Sequence, residues 1–369
     1  MFVTRFSASC LRGFNFIELA PSNSINVILG KNNAGKTTII EGLHFCSTLR
    51  SFKNLKSETL IQFDKSMSKI QLNVTKFDEN NTIYVENTLT SSKISKLNTK
   101  RAGSKTLMAF FPTIALSFGT ENVINSQSDV RRSLLDWGTF HVEPDYLLTL
   151  KSYLKVLKNR NLAIKQRDFQ SIDTWSKKLS SLGEEIDIKR KSYFDILQKS
   201  YISNIEKIKA NNLIHYNDIL LSNISYSRGW PLGSTLSEAL SDTQEKDLAL
   251  KYTSVGPHKA DIIFKTGSDT LKNLASMSTQ VIISLLLILA QSEVFHVKQG
   301  YRPILLIDDL FFGIDDNNLG LVINLLSETR SQCFITAPDL YFEKISKFRD
   351  SAKNMKIYKL EDDNTIGEV

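Results

Sequence analysis

The chain has 369 residues, 41% hydrophobic and 23% charged, with a formal net charge of +7. This balance excludes a disordered or low-complexity chain and is enough for a large core split into two or more lobes, while the excess of base suits a polyanionic partner. The longest apolar run, Val281 to Ala290, is shorter than the ~20 residues needed to cross a bilayer and reads as a buried helix, so no membrane partner is expected.

The first residues, Met1-Phe2-Val3-Thr4-Arg5-Phe6, show no charged-then-apolar leader, and cytoplasmic residence is the expectation. Cys10, Cys46 and Cys333 lie far apart without C-x-x-C spacing, which argues against a disulfide framework or zinc site and for buried thiols. Strand-like runs such as Arg12 to Leu19 fill the first thirty residues. The apolar strand Ile25 to Leu29 then runs into Gly30-Lys31-Asn32-Asn33-Ala34-Gly35-Lys36-Thr37-Thr38, which fits G-x-x-x-x-G-K-[ST] without a mismatch. Helical spacing follows from Thr38 to Leu49, so strand, glycine loop and helix fall in the order a phosphate cradle requires. Gly30 and Gly35 allow backbone N–H groups to close on phosphate, Lys36 reaches the β- and γ-phosphates, and Thr37 offers a hydroxyl to Mg²⁺.

Farther on, Ile70 to Phe77 and Thr82 to Leu89 read as a hairpin turned by Asp78 to Asn81. Lys93, Lys96, Lys100, Arg101 and Lys105 follow in a polar stretch expected to be a flexible loop; they are either a DNA-phosphate surface or a solvated face. From Pro144 to about Ala210 apolar residues recur at helical spacing. One helix is expected from Pro144 to about Arg167 and another from about Ile172, packed antiparallel rather than as an intermolecular coiled coil. Between Lys151 and Ser200 bases outnumber acids 12 to 6, a second candidate phosphate surface.

Strand patterns return at Leu213 to Ser227 and Asp261 to Lys265, around Gly256-Pro257-His258-Lys259. A helix from about Ser278 to Val297 precedes the apolar strand Pro303 to Ile307, which ends in Asp308-Asp309. A helix near Asn318 to Glu328, a strand Gln332 to Thr336 and a strand pair around Asp362 to Asn364 complete an α/β pattern with a substantially parallel sheet. An apolar strand ending in acid is the Walker B arrangement: Asp308 is the second Mg²⁺ ligand and Asp309 the residue that orients and polarises the attacking water. Lys36 and Asp309 are therefore the catalytic pair. The long interval between Lys36 and Asp308 implies an ABC-type P-loop ATPase head into which a helical arm is inserted, with head residues at 1–140 and 216–369 and the arm at 141–215.

Several runs resemble the RecF family of ABC/SMC-type ATPases over nearly the whole chain. They are the P-loop with Leu49-Arg50-Ser51-Phe52-Lys53, the run from Val130-Arg131-Arg132 through Asp136-Trp137-Gly138 to Pro144, Lys158 to Gln166, Gly256 to Asp261, and Leu306 to Asp309. The resemblance implies ATP and Mg²⁺ as cofactors and an ATP-dependent head-to-head homodimer. It also implies single-stranded and gapped double-stranded DNA as substrate, a RecR-like mediator as partner, and support of RecA loading and the SOS response. In the signature loop, alignment on Gln280 puts Met277 where a serine belongs and Thr279 where a glycine belongs, so that Ser276 or Ser278 substitutes or the contact across the dimer weakens. Asp315, after Gly313, falls at the D-loop and is expected at the protomer contact. Two alternatives stand beside this reading: a degenerate ATP-switched DNA scaffold without significant hydrolysis, and a P-loop small-molecule kinase.

Overall fold

The computed structural model describes all residues except 54, 91, 119–121, 211–216, 268, 351, 353 and 362–364. Contacts divide the chain into two units, Met1–Asn122 with Ser276–Val369 and Val123–Ala275. The boundary expected at 140/141 thus falls inside a helix, Ser128–Val142, and the one at 215/216 lies outside the described residues.

The first unit opens with β1 (Phe2–Leu11), β2 (Phe14–Leu19) and β3 (Ile25–Gly30), followed by α1 (Lys36–Thr48) and a single 3₁₀ turn at Ser57–Leu60. Next come β4 (Met67–Lys76), β5 (Glu79–Thr88), β6 (Lys93–Leu97), β7 (Lys100–Arg101), α2 (Ser104–Phe110) and β8 (Thr113–Ser117). The β4–β5 turn is only Phe77-Asp78, both with positive φ of 51° and 61°, so Glu79 to Asn81 extend the strand instead of turning it. The basic stretch from Lys93 to Lys105 is also not a loop: it makes β6, β7 and the start of α2. Among the described residues an antiparallel sheet runs β2-β1-β4-β5-β6-β7. Its inner face, with Phe6, Ala8, Ile17, Ile70, Leu72, Ile83 and Val85, packs with Ile39, Ile40, Leu43, Phe45 and Cys46 of α1 in one core.

The second unit contains α3 (Ser128–Val142), α4 (Tyr146–Gln166), α5 (Phe169–Ala210), α6 (Asn217–Leu220), β9 (Ser222–Ser227), α7 (Leu236–Asp242) and α8 (Gln244–Leu250). It closes with β10 (Asp261–Thr266), β11 (Asp269–Thr270) and α9 (Leu271–Leu274). The strand expected from Leu213 begins only at Ser222, after helix α6; residues 213–216 lie outside the described residues. α4 and α5 form the expected antiparallel pair, with Tyr146 bonded to Arg190, Thr149 to Glu185 and Arg160 to Ser176. The pair is only part of a unit that also holds α3 and the antiparallel sheet β11-β10-β9.

The chain then returns to the first unit as α10 (Met277–Gln299), β12 (Ile304–Asp308), α11 (Asp316–Glu328), β13 (Cys333–Ala337), α12 (Phe342–Ser346), β14 (Lys356–Leu360) and β15 (Ile366–Glu368). α10 is apolar on every face and long enough to span a bilayer, yet its side chains from Ser278 to Ser292 are buried in the protein, as in a core helix. The second sheet of this unit has the order β15-β14-β3-β13-β12-β8, parallel throughout except for the edge strand β15. Every residue of β3, β12 and β13 is buried, which explains why those strands read as continuous apolar runs. Cys46 and Cys333 are buried thiols, whereas Cys10, at a positive φ of 53° near the end of β1, is half-buried.

Candidate functional site

β13 lies between β3 and β12 and is parallel to both, so the P-loop, Thr336 and Asp308 all leave the sheet at its carboxyl edge, where open α/β sheets bind ligands. The loop turns through two left-handed positions, Asn33 at φ 67° and Gly35 at φ 97°. Asparagine tolerates that conformation better than most residues, so Asn33 serves where glycine is usual. At Gly35 a Cβ would also lie 2.7 Å from Cζ of Phe14, so both conformation and space demand glycine. Lys36 Nζ donates to the carbonyls of Gly30 and Lys31, each at 2.7 Å, and thus curls back over its own loop. Burial holds the Lys36 pKa below the ordinary lysine range, and Asp309, Asp339 and Asp308 push it back up.

Asp308 has no solvent exposure. Thr37 Oγ1 donates toward both its carboxylate oxygens at 2.9 and 3.0 Å, and Thr336 Oγ1 donates to Oδ1 at 2.7 Å. Lys53 Nζ stands 3.2 Å from Oδ2. The Thr37 hydroxyl and Asp308 carboxylate make an oxygen pair suited to a hard divalent cation, so the residues fit Mg²⁺. Asp309 follows at φ 55°, its N–H donating to Thr336 Oγ1 at 2.8 Å. Its carboxyl pKa is raised by burial first and by the neighbouring Asp308 second, while Lys36 and Lys53 draw it down. A carboxylate made more basic beside a phosphate cradle is equipped to take a proton from water.

The other expected residues separate into groups. Ser276 is the exposed N-cap of α10, its Oγ accepting from the N–H of Thr279 at 3.2 Å. Ser278 is buried and accepts from Asn318 Nδ2 at 2.9 Å, and Gln280 is buried and accepts from Asn122 Nδ2 at 3.1 Å. Of these three, Ser276 is the one presented at the head surface. Asp315 is exposed and caps α11, accepting from the backbone and side-chain nitrogens of Asn318 at 3.0 and 2.8 Å. Lys93 is committed inside the fold, donating to the carbonyl of Leu49 at 2.9 Å with its ammonium 5.4 Å from the centre of the Phe45 ring. Lys96, Lys100, Arg101 and Lys105 are exposed; Lys96 pairs in register with Arg101 on the outer sheet face, and Lys100 with Leu97 of the inner face. Two like charges directly opposite each other destabilise a strand pair unless an anion joins them.

The runs that carry the family resemblance in the second unit are largely structural. Arg131 forms a bidentate pair with Asp261 at 2.7 and 2.8 Å, uniting the α3 run with the end of the Gly256 run. Buried Arg160 bonds Asp247 and Thr253, each at 2.7 Å, and His258 bridges Tyr153 and the carbonyl of Thr253. A Cβ at Gly138 would lie 2.0 Å from Cζ of Tyr193, so helix packing there admits only glycine. Sequence reasoning passed over two residues of the site. Thr336 carried only the signal of ending a strand parallel to the acidic one, and Lys53 was visible as part of a family run with no role attached.

This parallel sheet, its glycine loop and its buried acid define a P-loop ATPase head of the ABC/SMC type, with a helical unit inserted between the two halves. The RecF/RecN/SMC N terminal domain family matches residues 2–363. The DNA replication and repair protein RecF of Francisella tularensis subsp. mediasiatica is 31% identical over 353 residues, covering 95% of this chain and 98% of that protein. Its counterpart in Francisella tularensis subsp. tularensis is 33% identical over 331 residues, covering 89% and 92%. The chain belongs to the RecF family. In fold it is similar to a solved structure of the recombination mediator protein RecF with ATP in the RecFOR pathway, at TM-score 0.80 and 21% identity over 100% of this chain and 97% of that one. It is also similar to the Smc head domain of Pyrococcus furiosus, at TM-score 0.56 and 14% identity over 100% and 96%.

Proposed function

We propose that this chain is an ATP- and DNA-binding factor of recombinational repair and replication. It dimerises head to head with ATP on single-stranded or gapped duplex DNA in the cytoplasm, works with a RecR-like mediator, supports RecA loading and SOS induction, and hydrolyses ATP slowly. The observation that carries this reading is the convergence of Lys36, Thr37 and Asp308 at one sheet edge: a cation for phosphate beside an oxygen pair for Mg²⁺. Thr37 and Asp308 would hold Mg²⁺, which when bound would supply charge neutralisation at the phosphates. Asp309 orients and deprotonates the attacking water, and being one methylene shorter than glutamate it supports slow turnover. Because nucleotide binds better to the dimer than to the monomer, ATP drives association by linkage. Ser276 at the N-terminus of α10 and Asp315 are the residues offered to the second protomer, and Lys96, Lys100, Arg101 and Lys105 are offered to DNA phosphates.

Sedimentation with ATP, ADP and gapped DNA at two salt concentrations tests the assembly, and DNA-dependent ATPase tests the chemistry. Wild type forms an ATP-dependent dimer whose DNA binding weakens with salt; Lys36→Arg loses the dimer, and Asp309→Asn keeps it but does not turn over. A wild-type chain that neither dimerises with ATP nor responds to DNA rules the reading out. The inward orientation of Ser278 and Gln280 favours a second reading, an ATP-switched DNA scaffold, in which the dimer forms but wild-type turnover is no faster than that of Asp309→Asn.

A further inference from the structure

Lys53 is, among the described residues, the cation in ion-pair contact with Asp308, and its position sets it against the metal that Asp308 would hold. Its Nζ lies 3.2 Å from Oδ2; its side chain is 39% exposed, whereas that of Asp308 is fully buried. The other oxygen, Oδ1, accepts the hydroxyl of Thr336 at 2.7 Å, and Thr37 donates toward both oxygens at 2.9 and 3.0 Å. A divalent ion shared by Asp308 and Thr37 would sit at the same carboxylate as the Lys53 ammonium, and two cations at one buried carboxylate repel strongly.

The segment behind Lys53 is pinned at several points. The N–H of Lys53 donates to Ser51 Oγ at 3.1 Å, and Ser51 Oγ donates to buried Glu41, which pairs with Arg12. Leu49 adopts φ 57° at the C-cap of α1, and its carbonyl accepts from Lys93 at 2.9 Å. Phe52 packs edge-on against His44, so the backbone of this strap, residues 49–53, is held by the head, and the pair with Asp308 is what fixes the Lys53 side chain.

We propose that Lys53 is an internal competitor of Mg²⁺ for Asp308: when Asp308 and Thr37 hold the ion that accompanies nucleotide, the Lys53 ammonium leaves the carboxylate and its hold on residues 49–53 is released. Metal loading thereby becomes a change in the protein's own backbone. This inference rests on the nucleotide site proposed above and adds Lys53 to it as a positioning residue.

The test uses the full chain and a fluorescent ADP analogue titrated with Mg²⁺, with hydrogen exchange read at the amides of residues 49–53. In Lys53→Gln the Mg²⁺ concentration for half-maximal response falls about ten-fold, because one repelling charge is gone. Exchange at Phe52 and Lys53 rises on adding Mg²⁺ and nucleotide to wild type, and is already raised in Lys53→Gln without them. Lys53→Arg, which keeps the charge, retains the wild-type midpoint and shows that the effect is electrostatic. If the analogue binds but the Mg²⁺ midpoint is the same in wild type and Lys53→Gln, the role of Lys53 is refuted while the nucleotide site stands. If the analogue does not bind wild type at any Mg²⁺ concentration, both fall.

Discussion

Replacing Thr336 with valine isolates one hydroxyl at the centre of the site. The Thr336 side chain is fully buried; its Oγ1 donates to Asp308 Oδ1 at 2.7 Å and accepts from the N–H of Asp309 at 2.8 Å. Valine matches its shape, so no cavity opens and the loss is confined to two polar contacts. The bond to a buried carboxylate contributes about 1.5–3 kcal/mol, and the orphaned Asp309 N–H costs about 1–3 kcal/mol. Since the two share one atom and are not additive, we expect a loss of about 2–4 kcal/mol. Equilibrium urea unfolding gives the magnitude, and hydrogen exchange at Asp309 and along β12 assigns it to the site. Thr336→Ser, which restores the hydroxyl but removes a buried methyl, is expected to recover most of the loss at a cost of about 1 kcal/mol for the methyl. A loss in Thr336→Val below about 0.5 kcal/mol, the range of an ordinary surface change, with unaltered exchange at Asp309 would show that Thr336 does not hold the acidic pair.

Gly35→Ala meets both a φ of 97° and Phe14, so Phe14→Ala in the same chain relieves the clash but not the backbone strain; binding of a fluorescent nucleotide analogue is expected to be lost in the single variant and only partly regained in the double. Asp247→Asn leaves the fully buried Arg160 guanidinium without a counter-ion and is expected to destabilise the second unit by about 3–5 kcal/mol, and the double variant Arg160→Met, Asp247→Asn by less than the sum of the singles, read by denaturation of all three chains. His258 has a pKa lowered to about 4, mainly by burial. Its depressed folded value means that it contributes stability above the unfolded value of ~6.5, and that this contribution is lost as pH falls from there toward 4. The melting temperature of wild type should therefore drop more between pH 7 and pH 5 than that of His258→Gln; parallel profiles would refute the assignment.

The features legible without coordinates were those carried by local chemistry. Gly30 to Thr38 declares itself because a tight turn at phosphate admits few residue types, and Asp308 because an acid at the end of an apolar strand is costly unless it has a partner. The α4–α5 pair was legible from its 3.6-residue period. Local pattern misled where tertiary pairing decided. Lys93 to Arg101 is polar enough to be a loop, yet it adds two strands because β5 offers an unpaired edge, and Lys93 turns inward to the Leu49 carbonyl and the Phe45 ring. Glu79 to Asn81 look like a turn but lie within a strand, since two residues with positive φ at Phe77-Asp78 suffice to reverse the chain.

Sequence by itself determined the cradle, the acidic strand, the α/β alternation and the family, because each depends on residues close together or in a recognisable run. Only the tertiary structure decided which residues surround Asp308. By inserting β13 between β3 and β12 it brings Thr336 to one carboxylate oxygen, and by the path of the chain after α1 it brings Lys53 to the other. Neither residue shares a period or a motif spacing with Asp308. What joins them is the need of a buried carboxylate to have its charge balanced and its lone pairs filled, by whatever groups the strand order places within reach.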